Sequence, residues 1–197
     1  MSLSNNIALQ EEGHTKLEDL PLRVTLHPFL AGLNCAQLAT FTGCALPTRF
    51  APGQTILREG EFADCFYLIE SGSVILESAA RHGEPVVIET IGAGDLLGWS
   101  WMFPPYVWHF TASAIEPTDA LFFDAPKVRE YCEHDPALGY ALLKRLSAVM
   151  MKRLQAARDK MVAVDAGNEK LQPVVGLSPF MQQEMDTCED DEDGYEW

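Results

Sequence analysis

The strongest constraint on the fold is a series of short apolar segments, separated by Gly and Pro, that extends from residue 46 to residue 124. Several segments alternate apolar with polar residues, which is the pattern of strands that bury one face. Turn residues recur at the spacing of an antiparallel sandwich or barrel, and Ser71-Gly72 and His82-Gly83 have the composition of hairpin turns. The predicted strands are residues 54–58, 65–71, 73–78, 85–91, 111–116 and 120–124.

Helices are predicted on both sides of this β region. Residues 27–46 have the pattern of short helices, and residues 125–134 that of another. Asp135-Pro136 then supplies an N-cap followed by Pro at the first helical position. The helix predicted from there to about Val164 would be roughly 40 Å long, which is more than a small barrel covers.

Part of the apolar stripe on this long helix is therefore predicted to meet a second copy of the chain. Its apolar residues recur at three- to five-residue steps, broadly on one face. The basic residues along the helix are interpreted as a solvated face beside that seam rather than as a nucleic-acid surface, since the chain is acidic. The predicted homodimer contacts are Leu138, Leu142, Val149, Leu154 and Met161.

The charge of the chain argues against nucleic acid and anionic membranes as partners. The formal net charge is −15, and phosphate contacts need clustered Lys and Arg. No apolar run approaches the roughly 20 residues of a membrane span, and no signal peptide is recognisable. The five cysteines are scattered without close pairs, which predicts free thiols in a cytoplasmic protein and no zinc or iron–sulfur site.

The pattern divides the chain into three predicted parts. Residues 1–26 are a polar or helical N-terminal extension. Residues 27–164 form one domain, with a β-roll over about 46–124 and helices over 125–164. Residues 165–197 are a flexible tail, which carries eight acids and no base from Glu184 onward and thus more than half of the net charge.

The stretch from Phe50 to Leu76 resembles the cyclic-nucleotide-binding domain of the catabolite-activator (Crp/Fnr-like) regulator family; its sequence is FAPGQTILREGEFADCFYLIESGSVIL. The glycines that match are Gly53, Gly60, Gly72, Gly94 and Gly98, each set between apolar segments as a jelly roll requires at its tight corners. The resemblance implies a jelly-roll sensor domain followed by a dimerisation helix. A cupin is the alternative roll, but the histidines do not form its metal-ligand pattern, and no metal site is predicted.

The segment that binds the nucleotide in that family departs from the family pattern here. The resemblance implies a cassette that opens with Gly-Glu and closes with Arg-x-Ala-Thr, in which the Arg pairs with the phosphate and the Glu holds the ribose. Gly98 matches the opening glycine, but Trp99 stands at the Glu position. The Arg position falls on Trp108, or on His109 if the loop is one residue shorter. No Arg or Lys occurs between Arg81 and Lys127, so cyclic AMP and cyclic GMP are predicted to bind weakly or not at all, and no cofactor is expected.

Two interpretations of the aromatic cassette remain open. In one, it lines a pocket rebuilt for another small ligand, with Ser100, His109 and Thr111 as polar contacts. In the other, the aromatic side chains fill the pocket and leave a ligand-free core or an interface. Weak cyclic-nucleotide binding through backbone amides is a third possibility. The candidate ligand-binding residues are Gly98, Trp99, Ser100, Trp101, Trp108, His109, Phe110 and Thr111.

The predicted function is regulatory. The family's winged helix-turn-helix has no counterpart in the 33 residues after Val164, so direct DNA reading is not expected. No catalytic motif is present, so no enzymatic activity is expected either. The sequence predicts a cytoplasmic homodimeric sensor that acts through another small ligand or a partner protein. The alternative is an interaction subunit whose pocket is plugged.

Overall fold

The structure is a computed structural model that describes residues 19–79 and 85–166. It divides the chain into two units, Met1–Ala157 and Arg158–Trp197. Of the second unit only the helical residues 158–166 are described. The predicted hairpin turn at His82-Gly83 and the acidic part of the predicted tail lie outside the described residues.

The described part of the chain starts with two α-helices joined by a 3-10 turn. Helix α1 is Leu20–Leu26, the 3-10 turn is Pro28–Leu30, and helix α2 is Cys35–Cys44. Helix α2 starts with a capping box, in which the Asn34 side chain accepts from the Gln37 N–H and the Gln37 side chain accepts from the Asn34 N–H. The helical region predicted over 27–46 thus contains the 3-10 turn and α2, and α1 lies before it.

Buried and charged contacts anchor these N-terminal elements to the roll. Arg23 forms a bidentate ion pair with Glu70, in which Nε and Nη2 each donate to one carboxylate oxygen. His27 is buried between α1 and the 3-10 turn, where its Nδ1 accepts from the Phe29 N–H at 3.3 Å. Its Nε2 therefore carries the proton and donates to the carbonyl of Ile69 at 3.1 Å. This arrangement requires the neutral imidazole.

Among residues 19–79 and 85–166, eight antiparallel strands form the roll as two four-stranded sheets. The fold class predicted from the sequence is confirmed. One sheet has the order β1-β8-β3-β6 and the other β2-β7-β4-β5. The strands are β1 Ala45–Phe50, β2 Thr55–Leu57, β3 Cys65–Ser71, β4 Ser73–Ser78, β5 Val86–Gly92, β6 Leu96–Leu97, β7 Thr111–Ala114 and β8 Thr118–Asp124.

The sequence pattern missed strands β1 and β6. β1 is an edge strand that contains Pro47, a residue that a sheet accepts mainly at its edge because it has no backbone N–H to donate. β6 has two residues, too few for an alternation to be visible. The turn at Gly72 between β3 and β4 is as predicted. Its φ is +89°, and a Cβ there would lie 2.5 Å from the carbonyl oxygen of Pro117.

Two helices follow the roll at the predicted places. Helix α3 is Ala125–His134, and the Asp124 side chain accepts from the N–H of Lys127 at its start. Helix α4 is Pro136–Ala166, and Asp135 caps it by accepting from the N–H groups of Ala137 and Leu138. Among the described residues, no helix is both long enough and apolar enough to cross a membrane.

The residues predicted as one dimer seam on α4 do not share one face. Leu138 and Leu142 pack in the core of the domain itself, together with Leu146, and are unavailable to a partner subunit. Val149 is half-buried against the same core, whereas Leu154 and Met161 are exposed. Steps of three to five residues were too coarse to separate two stripes on different faces of a helix with 3.6 residues per turn.

Candidate functional site

The candidate site is the cassette, residues 98–110, between β6 and β7. It opens at Gly98, which has a φ of +82°, and continues into a 3-10 turn, Ser100–Met102. The indole ring of Trp108 lies directly against Gly98. A Cβ at position 98 would come within 2.7 Å of Cη2 of that ring, so the close approach excludes any side chain there.

Trp101 belongs to the core of the roll. It is fully buried, and its ring stacks on Phe66 with centroids 4.7 Å apart. Phe66 stacks in turn on Phe123 at 4.9 Å, which continues the aromatic column into β8. The indole nitrogen of Trp101 has no hydrogen-bond partner within the described residues. Trp101 thus serves packing, at the expense of one unsatisfied buried donor.

The polar side chains predicted as ligand contacts already have partners within the protein. Ser100 Oγ lies 3.1 Å from Nδ1 of His109, and the His109 ring stacks on Trp99 at 5.8 Å. Thr111 Oγ1 accepts from the N–H of Glu59 at 3.2 Å. The structure therefore brings the predicted residues together, but Ser100 and His109 are bonded to each other and Thr111 is bonded to the backbone of Glu59. Trp108 and Phe110 are buried, while His109 is exposed.

The second half of the cassette is paired with the turn at residues 60–63. The Trp108 N–H donates to the Glu61 carbonyl, and the Gly60 N–H donates to the Trp108 carbonyl, each at 2.9 Å. The Ala63 N–H donates to the Tyr106 carbonyl at 2.7 Å. These backbone bonds hold Trp108 with its indole turned toward Gly98.

Arg129 on helix α3 is a site residue that sequence reasoning missed. Its Nη1 donates to the carbonyl of Trp101 at 2.6 Å, and its guanidinium lies 4.6 Å from the centroid of the Tyr106 ring. It thereby fastens both halves of the cassette to α3. No local pattern could have indicated this, because Arg129 and Trp101 are 28 positions apart and lie in different elements.

The described residues show no activated nucleophile or metal cluster near the cassette. Burial raises the pKa of the Cys44 and Cys132 thiols to about 11 and that of Cys65 to about 12. These thiols stay protonated at neutral pH. Within residues 19–79 and 85–166, no three His, Cys, Asp or Glu side chains are placed to hold a metal ion.

Two four-stranded sheets, a cassette between β6 and β7 and a helix pair after β8 define a regulatory β-roll domain. Residues 47–135 match the family model of the cyclic nucleotide-binding domain. The resemblance drawn from the glycine pattern is confirmed.

The chain is similar to regulators and to a domain of an enzyme. It is 26% identical over 130 residues to the CRP-like cAMP-activated global transcriptional regulator of Mycobacterium tuberculosis, which covers 66% of this chain and 56% of the regulator. It is 30% identical over 118 residues to the acetyltransferase Pat of Mycolicibacterium smegmatis, covering 54% of this chain and 29% of the enzyme. The chain thus spans about half the length of the curated regulator and less of the enzyme.

A solved structure from Geobacter metallireducens, of a protein assigned to cyclic nucleotide binding, has the same fold. Its TM-score is 0.60 at 27% identity, and the match covers 68% of this chain and 95% of the other. The chain therefore contains a cyclic-nucleotide-binding-like regulatory domain.

Proposed function

We propose that this protein is a regulatory domain whose cassette is filled by its own aromatic side chains, and that it transmits its signal through contacts with another protein chain. In this proposal it binds neither cyclic AMP nor cyclic GMP in the manner of the family. The observation that carries the proposal is the indole ring of Trp108, buried against Gly98 at the opening of the cassette.

Space and charge both support this proposal. Trp108 occupies the room beside the opening glycine, so a nucleotide would have to displace a buried indole. The cassette also contains no Arg or Lys. A charge-assisted hydrogen bond to a phosphate is worth about 1.5–3 kcal/mol, and an anion left unpaired in a buried site costs more. The lost arginine and ribose carboxylate together correspond to about two to four powers of ten in affinity.

The alternative of a rebuilt small-ligand pocket receives less support. The three polar groups that would fix such a ligand, on Ser100, His109 and Thr111, are already hydrogen-bonded within the protein. A ligand would have to compete with these bonds, and a buried polar group such as the Ser100 hydroxyl is costly to leave without a partner.

Calorimetric titration with cyclic AMP and cyclic GMP tests the proposal. We expect no binding by the wild-type chain at nucleotide concentrations up to about 1 mM. The variant Trp99→Glu/Trp108→Arg restores the two side chains of the family pattern and should bind cyclic AMP at least about tenfold more tightly. Trp108→Phe is the matched control, because it keeps an aromatic ring in the cassette and adds no charge.

Micromolar binding of either nucleotide by the wild-type chain would overturn the proposal, whatever the variants do. Circular dichroism of each variant shows whether it folds. A folded double variant that gains nothing would show that the filled cassette is not what excludes the nucleotide.

We further propose that the chain is a homodimer with its seam on the exposed face of α4. Within the first unit, Tyr140, Leu143 and Leu154 are exposed apolar residues of this helix, and Met150 is half-buried. Together with Ser147 they are spaced alternately by three and four residues, which is the heptad spacing of a coiled-coil seam. In the sequence the same spacing continues to Ala157 and Met161. Within the first unit, this seam retains Leu154 of the predicted contacts and leaves Leu138 and Leu142 to the core.

The proposal includes no direct reading of DNA and a location in the cytoplasm. The formal charge of −15 opposes binding to phosphate backbones, and an electrophoretic mobility assay at low salt should show no shift of a DNA duplex. The described cysteines Cys35, Cys44, Cys65 and Cys132 are all free, which is usual in a reducing compartment. The relatives are mainly regulators, and we assign this chain no catalytic activity.

A further inference from the structure

A cleft of about 290 Å³ lies between helix α4 and the turn that joins β5 to β6, away from the cassette. The helix contributes one wall, from Arg145 to Arg153, and the turn contributes Gly94 and Asp95. This volume lies at the lower end of the range of small-molecule sites, which run from about 300 to 1,000 Å³.

The interior walls of the cleft are largely apolar. The apolar lining comes from the 3-10 turn, β6 and α4, and consists of Pro28, Phe29, Leu96, Ala148 and Val149. Apolar walls of this kind favour a ligand with an apolar body over a small hydrated ion.

The charged groups of the cleft leave one positive charge in excess. Its cations are Arg145, Lys152 and Arg153, and its carboxylates are Glu89 and Asp95. Glu89 pairs with Nε of Arg153 at 3.1 Å, and Asp95 accepts from the N–H of Gly92 at 3.0 Å. A positive excess is notable in a chain of formal charge −15, because it gives the cleft a sign opposite to that of the whole molecule.

Arg153 is incompletely satisfied within the described residues. Its Nη2 donates to the Leu96 carbonyl at 2.7 Å, but its Nη1 is buried and has no hydrogen-bond partner. Burial lowers the pKa of Arg153 despite the nearby carboxylates of Glu89 and Asp95. A buried guanidinium donor without an acceptor leaves the charge of this side chain incompletely balanced within the described residues.

Lys152 is the cation at the exposed edge of the cleft. Arg145 is committed to two backbone carbonyls, because it donates to Ala141 at 2.8 Å and also to Ala31. Lys152 is exposed, and its ammonium group is therefore free to move toward an incoming charge.

We infer that this cleft is a binding site for a small monocarboxylate with an apolar body. The apolar walls take the body, and the carboxylate meets the excess positive charge of Lys152 and Arg153. The site is separate from the cassette, so the inference does not depend on the function proposed above.

The probe is phenylacetate, and its neutral analogue phenylacetamide is the matched control. We follow backbone amide resonances of the full chain by two-dimensional NMR while each compound is added to about 10 mM, a range that detects millimolar dissociation constants. Phenylacetate should shift the resonances of Gly94, Leu96 and Val149, and phenylacetamide should bind at least about fivefold more weakly.

Paired lysine variants locate the charge. Lys152→Gln should weaken phenylacetate about five- to tenfold, whereas Lys144→Gln, an exposed lysine of the same helix outside the cleft, should change it less than about twofold. Both positions are exposed, so both variants should fold.

Inorganic phosphate serves as a further probe. Phosphate binding at these resonances with no binding of phenylacetate would overturn the assignment to carboxylates. Equal binding of phenylacetate and phenylacetamide, an equal effect of the two lysine variants, or the absence of shifts around the cleft would also overturn it.

Discussion

A single missing Cβ, at Gly98, makes room for the indole ring of Trp108. The glycine is needed for two reasons, since a φ of +82° disfavours any residue with a side chain and a Cβ would clash with the indole ring. The space beside Gly98 is thus filled by the buried ring of Trp108. Around it, Trp99, Ser100 and His109 bond and stack with one another.

Replacing this glycine should be more costly than its backbone angle alone explains. Gly98→Ala should lower the free energy of unfolding by about 2–4 kcal/mol, with about 1–2 from the left-handed backbone and the rest from the clash with Trp108. Gly53→Ala is the control, because Gly53 has a similar φ of +79° and nothing within 4 Å of a Cβ. It should cost about 1–2 kcal/mol in urea unfolding.

A double-mutant cycle separates the two contributions. In a Trp108→Leu background the clash is relieved, so Gly98→Ala should there cost no more than Gly53→Ala does. Equal costs for Gly98→Ala with and without the indole ring would contradict the packing described for this pair.

At the scale of elements, the parts that were predicted correctly are those specified by nearby residues. Ser71-Gly72 sets a hairpin turn locally, and Asp135-Pro136 sets a helix start locally. The contact of Trp108 with Gly98 and the reach of Arg129 to Trp101 join residues distant in sequence, which periodicity does not encode. The cassette was therefore located from the sequence, but whether it was open or filled was not.

Helix α4 shows the same limit, because amphipathicity does not say which apolar stripe faces the roll. Leu142 has 0% exposure and Leu154 has 64%, although both are leucines of one helix. Only the packing of the roll against one side distinguishes them. The other side keeps the heptad-spaced residues that we assign to a partner copy.

Substitutions on the two sides of α4 should act on different equilibria. Leu154→Lys should weaken the dimer by about two to four powers of ten, since a symmetric seam loses two buried leucines at about 1.5–3 kcal/mol each. The stability of the monomer should hardly change. Leu142→Lys should instead destabilise the fold, because it places a charge in the core.

Sedimentation equilibrium over a range of concentrations measures the dimer, and Gln155→Lys is the control. This exposed neighbour receives the same charge outside the heptad spacing and should leave the dimer intact. An unchanged dimer in Leu154→Lys would refute the seam.

At the scale of the whole molecule, a buried histidine links the N-terminal helix to the roll. His27 contacts Phe29 and Ile69 as a neutral ring. Glu70 of β3 and Asp95 of the β5–β6 turn are the charged groups that favour its protonated form, but burial dominates and lowers its pKa. Protonation would also replace the acceptor at Nδ1 by a donor that faces the N–H of Phe29.

The stability of the protein should accordingly fall in mildly acidic solution. Because the pKa of His27 is lowered on folding, the unfolded chain binds the proton more readily. The contribution is complete above the ordinary pKa of about 6.5 and decreases below it, with a slope of at most about 1.4 kcal/mol per pH unit. Urea unfolding between about pH 7.5 and pH 5 measures this slope, because few carboxylates titrate in that range.

His27→Gln is the control for this effect. The amide keeps a donor for the Ile69 carbonyl and does not titrate, so the variant should show a flatter dependence on pH over the same range. A slope identical to that of the wild-type protein would assign the acid sensitivity to other groups.

Arg129 joins helix α3 to the cassette by a hydrogen bond to the carbonyl of Trp101 and a cation–π contact with the ring of Tyr106. Through its guanidinium group, a displacement of helix α3 is coupled to a displacement of the cassette. In a sensor that is driven by a nucleotide, the structural change begins in the cassette and is transmitted to the helices. Under the function proposed above, in which the cassette is already packed, a protein that binds helix α3 would act on the roll through the same contacts.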